Sequence, residues 1–60
     1  DNLSVEVSNG TITITTANSA KVAIVDMAGK QVWSGMVQGE KSVTLPAGTY
    51  LVNDKKVLVK

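Results

Sequence analysis

The chain has 60 residues, six lysines against five acidic residues for a net charge of +1, and no arginine, histidine or cysteine. So short a chain buries only about 60% of the surface its unfolded form exposes, so a single marginally stable domain is expected, without a disulfide or structural zinc site to brace it. The scattered lysines and two aromatics lack the basic face of a nucleic-acid binder, no apolar run approaches the roughly 20 residues of a membrane-spanning helix, and the missing imidazole and thiol remove the usual general base and nucleophile.

The core falls to ten valines, four leucines and three isoleucines, with Trp33, Tyr50, Met27 and Met36 as large fillers. Leu3, Val5 and Val7 alternate with Ser4 and Glu6, the period-two signature of a half-buried strand. Asn9-Gly10 is a type I′ hairpin signal, because both central residues of that turn need positive φ. The return strand is Thr11 to Thr15, with Ile12 and Ile14 inward. Ala17-Asn18-Ser19-Ala20 reads as a polar turn into Lys21 to Val25, a run apolar on both faces and so expected to be covered on two sides. In Asp26-Met27-Ala28-Gly29-Lys30, Asp26 caps a turn with its side chain and Gly29 supplies the left-handed residue.

The next strand is Gln31 to Val37, where Gly35 points to a bulge or a close backbone approach. Gln38-Gly39-Glu40 reads as another turn, followed by a strand from Lys41 to Leu45. Pro46-Ala47-Gly48 breaks the strand ahead of Thr49 to Val52. Asn53-Asp54-Lys55 turns once more into Lys56 to Lys60. Seven strands with frequent turns, and no helical period, predict one all-β domain over residues 1–60: a small seven-stranded antiparallel immunoglobulin-like sandwich. Its core is expected to hold Val5, Val7, Ile12, Ile14, Val22, Ile24, Val32, Val43, Leu45, Tyr50, Leu51 and Val57. The opening Asp1-Asn2-Leu3-Ser4 already reads as strand, as expected of a piece cut from a longer protein, in which any N-terminal export signal would lie upstream.

Chemistry-bearing residues are few. Asp1, Asp26, Glu40 and Asp54 sit at a terminus or in turns, and Glu6 on a polar strand face, so no catalytic role, cofactor or metal is expected. A calcium site from Asp26, Asp54 and Asn53 is conceivable for a hard cation, but turn formation is the commoner use of these residues. Asn2-Leu3-Ser4 and Asn9-Gly10-Thr11 fit the N-glycan acceptor pattern, the second being better explained as a hairpin. Trp33 is a sugar-stacking platform or, more commonly for a lone Trp, core. Lys55, Lys56 and Lys60 flank the last strand, where charge deters edge-to-edge pairing.

From Val22 onward the sequence resembles a family. The blocks are the hairpin Val22-Ala23-Ile24-Val25-Asp26-Met27-Ala28-Gly29-Lys30-Gln31-Val32, the segment Leu45-Pro46-Ala47-Gly48-Thr49-Tyr50-Leu51-Val52, and the closing Lys55-Lys56-Val57-Leu58-Val59-Lys60. In this order they resemble the C-terminal sorting domains (Por secretion tails) of proteins exported by the type IX secretion system of Bacteroidetes. The resemblance implies a non-catalytic sorting signal that follows a cargo domain across the periplasm and the outer membrane to the cell surface. It implies an outer-membrane translocon and a sortase-like peptidase as partners, with Gly48, Tyr50, Val57, Val59 and Lys60 in the recognition region. The alternatives are an immunoglobulin-like accessory or interaction module of a bacterial surface protein or protease, and a small carbohydrate- or ion-binding domain.

Overall fold

The computed structural model describes residues 3–60. Asp1 and Asn2 lie outside the described residues, and with them the beginning of the first expected strand and the asparagine of the first acceptor triplet. The described chain is all-β: β1 (Leu3–Ser8), β2 (Thr11–Asp26), β3 (Gln31–Thr44), β4 (Gly48–Val52) and β5 (Lys55–Val59). They form one curled sheet in which every pairing is antiparallel. The order is β1-β2-β4-β5, with β3 running along the other side of β2.

Turn chemistry fixes the registers. Asn9 and Gly10 both take positive φ, 51° and 76°, so Ser8 pairs directly with Thr11, as a type I′ turn requires. Between β2 and β3, Asp26 Oδ1 accepts from the N–H groups of Ala28 and Lys30 at 3.0 and 2.9 Å. Gly29, at φ 87°, donates to the Asp26 carbonyl at 3.0 Å. The aspartate cap and left-handed glycine expected there are both present.

Five strands stand where seven were expected. The segments Thr11–Thr15 and Lys21–Val25 are parts of β2, and Gln31–Val37 and Lys41–Thr44 belong to one long β3, with Leu45 just past its end. The polar stretches between them face each other across a bend instead of reversing the chain. Thr16 pairs with Gly39 and Ala20 with Val37, so residues 17–19 of β2 stand against Gln38 alone. Surplus residues on one strand bend and twist a ladder. Gly39 completes the bend at φ 85°, a conformation that costs any residue with a Cβ. Thr16 is buried there, its hydroxyl donating to the Val37 carbonyl at 3.3 Å.

The bend folds the two halves of the β2–β3 hairpin toward each other. Ile12, Ile14, Val22, Ile24, Val37 and Val43 of this hairpin join Tyr50 and Val52 of β4 and Val59 of β5 in the core. Of the expected core, Val5, Val7, Val32, Leu45 and Val57 are partly buried and pack against it. Leu51 is the correction. It lies between Tyr50 and Val52, both buried, and alternation turns it outward, so Val52 takes the place expected for it. Among the described residues every buried side-chain polar atom has a hydrogen-bond partner.

Candidate functional site

The C-terminal hairpin is built from the corner upward. Pro46 has no N–H to offer a ladder and follows the end of β3. Its carbonyl accepts from the Tyr50 hydroxyl at 2.7 Å, so the chain closes on itself across Ala47, Gly48 and Thr49. The Tyr50 ring is buried, and its edge lies 3.7 Å from where a Gly48 side chain would begin. Tyr50 thus satisfies both halves of its character, an apolar ring inside and a hydroxyl on backbone.

From that corner β4 and β5 pair as Gly48 with Val59, Tyr50 with Val57 and Val52 with Lys55. Val59 is buried and Val57 packs partly buried against the core, while Gly48 is half-buried. Of the five residues expected in the recognition region, Lys60 alone is exposed. The outward side of β5 consists of Lys56 and Leu58, and Leu58 is 55% exposed. Sequence reasoning placed the weight on the β-branched positions, whereas the strand shows solvent its alternate residues.

Asn53 is the residue whose role was missed. It and Asp54 form a two-residue turn with φ 47° and 71°. Its main-chain N–H donates to the Ala23 carbonyl at 3.1 Å. Its side chain also meets β2, Oδ1 accepting from the Ala23 N–H at 2.9 Å and Nδ2 donating to the Lys21 carbonyl at 3.0 Å. The amide therefore continues the β2–β4 ladder beyond the end of β4. An amide can imitate a peptide group in this way because its carbonyl oxygen accepts and its NH2 group donates side by side, as a peptide's C=O and N–H do.

That use of Asn53 bears on the conceivable calcium site. Asp26 pairs with Tyr50, while Asn53 lies against Ala23, three residues back along β2. At about 3.3 Å per residue the two stand roughly 10 Å apart along the strand. Asp26 Oδ1 and Asn53 Oδ1 are each occupied by backbone N–H donors. Among the described residues no group of three or more acidic side chains gathers as a ligand set.

Trp33 packs on the core, its ring 3.3 Å from where a Gly35 side chain would begin, which is the close approach that Gly35 permits. Lys41 places Nζ 6.0 Å from the ring centroid, within cation–π range. An open cleft of about 400 Å³ lies between the β1–β2 turn, Val7 to Gly10, and Leu58 and Lys60. Asn9, of the second acceptor triplet, belongs to this turn and is exposed. What these arrangements offer chemically is shape, backbone order and a few exposed charges. Comparison of the chain with protein-family models, with curated proteins and with solved structures found no match.

Proposed function

We propose that this chain is a non-catalytic, immunoglobulin-like module that serves as a C-terminal sorting signal, directing an attached cargo protein through type IX secretion to the cell surface. The observation that carries the reading is the terminal hairpin. Its Leu-Pro-x-Gly-x-Tyr segment forms a closed corner through the Tyr50 to Pro46 bond and holds β5 in one register. A tyrosine hydroxyl bonded to backbone a few residues upstream is also a habit of immunoglobulin-type sandwiches, which supports that fold for the curled sheet. On this reading Gly48, Tyr50, Val57 and Val59 shape the hairpin from inside, and Lys60 meets the outer-membrane translocon. A sortase-like peptidase then separates cargo from signal.

The test fuses the domain to a soluble reporter in a type IX-competent bacterium. It compares the intact tail with Lys60→Glu and with a short Gly-Ser extension after Lys60. Lys60 is exposed, so neither change disturbs packing. The intact fusion is expected at the surface, with at least one variant held, folded, in the periplasm. An intact fusion that stays in the periplasm overturns the reading and favours an accessory module that packs beside a neighbouring domain.

A further inference from the structure

The two halves of the curled sheet turn very different outer faces to solvent. Outward positions of β1, the first half of β2 and the second half of β3 are Ser4, Glu6, Ser8, Thr11, Thr13, Thr15, Glu40, Ser42 and Thr44, with no aliphatic side chain among them. Neighbouring hydroxyls meet there, Thr11 with Thr44 at 3.3 Å and Thr13 with Ser42 at 3.4 Å. That composition is what an antiparallel sheet with one wet face calls for.

The other half does not follow it. Ala23 and Val25 lie between the buried Val22 and Ile24 and just beyond them, so they point outward. Val25 stands opposite Leu51, which stands opposite Lys56, and Leu58 is the diagonal neighbour of Leu51 across β5. Across β3, Met36 sits opposite Lys21 and is 67% exposed. The run Lys21 to Val25 thus carries the sequence of a strand covered on two sides, yet the fold covers one. The strand positions of this face hold two lysines, Lys21 and Lys56, and no carboxylate.

We infer that the outer face of β2, β4 and β5 is a docking surface for a protein partner with an apolar centre and carboxylates around it. An apolar middle with a polar rim is the usual anatomy of a protein–protein interface, and the charge selects the occupant. A second copy of the chain would bring lysine against lysine on this face with no acid to neutralise it. A membrane surface is the poorer fit, because the face presents no tryptophan, tyrosine or phenylalanine to seat at a lipid interface. The inference does not rest on the delivery reading, since it concerns a face and not the chain end.

Nuclear magnetic resonance titration of the labelled chain tests it. The probes are a short peptide alternating leucine and glutamate, the same peptide with lysine for glutamate, and phosphatidylglycerol vesicles. The leucine–glutamate peptide is expected to shift the amides of Lys21 to Val25, Thr49 to Leu51 and Lys56 to Leu58, leaving Thr11 to Thr15 unmoved. Leu58→Thr and Lys56→Glu, both outward substitutions, are each expected to weaken it about tenfold. Retained spectra show that each variant is folded, and Lys56→Glu alone suffices if Leu58→Thr is not. The inference is overturned by equal binding of the two peptides, by shifts on the hydroxyl face or nowhere at millimolar peptide, by stronger binding to vesicles, or by concentration-dependent dimerisation through these residues.

Discussion

Replacing Asn53 by glycine separates two things the asparagine does at once. Glycine takes the positive φ of the turn without strain, so the two-residue hairpin persists while both side-chain bonds to β2 disappear. A typical hydrogen bond contributes about 0.5–1.5 kcal/mol net, and these two are solvent-exposed, so their joint loss is about 1–2 kcal/mol. Unfolding entropy near 2.1 cal/mol/K per residue gives about 0.13 kcal/mol/K for this chain, so each kcal/mol is worth roughly 8 °C. Asn53→Gly is therefore expected to lower Tm by about 8–16 °C in a circular-dichroism melt. Asn53→Asp keeps the acceptor for the Ala23 N–H but sets an oxygen against the Lys21 carbonyl, and is expected to lose at least half as much. A glycine variant melting within about 2 °C of the parent would show that the amide bonds contribute nothing and that the turn conformation alone matters.

Tyr50→Phe keeps the buried ring and removes the bond to the Pro46 carbonyl. It is expected to cost about 1 kcal/mol in urea unfolding, since that carbonyl can turn to water, and an unchanged midpoint would deny the corner any energetic part. Gly39→Ala meets no atom within 4 Å, so any loss is conformational. A cost of about 1–2 kcal/mol is expected by the same unfolding measurement, and a variant as stable as the parent would contradict the left-handed bend.

Period two, the Asn9-Gly10 turn and the Asp26 to Gly29 turn were readable because each is settled by neighbours in sequence. Ile12, Ile14, Val22 and Ile24 followed from the same alternation. The bend was not readable in this way. Ala17 to Ala20 has the composition of a chain reversal, and only the residues facing it, Gln38 and Gly39, decide that the strand continues. Leu51 was misplaced through parity, since two adjacent residues of a regular strand cannot both face the core. The same alternation governs the terminal hairpin. It sends Val57 and Val59 inward and leaves Lys56, Leu58 and Lys60 to solvent, a division that sequence resemblance does not address. Asn53 left no local signal, because its partners lie about thirty residues earlier, as the separations of 30 and 32 show.

The join between β4 and β2 spans Ile24 with Val52, Val25 with Leu51 and Asp26 with Tyr50, and beyond them only the bonds of Asn53 to Ala23 and Lys21. β1 and β3 are zipped to β2 along much longer ladders. The last hairpin is thus fastened mainly by its buried side chains, Tyr50, Val52 and Val59, and local opening in native proteins follows cooperative units such as a hairpin. Amides of β4 and β5 should exchange with solvent through a partial opening that leaves the β1–β2–β3 unit closed. In that open form Tyr50, Val57 and Val59 come into reach together. One opening event would thus expose together the β-branched residues that the closed domain hides.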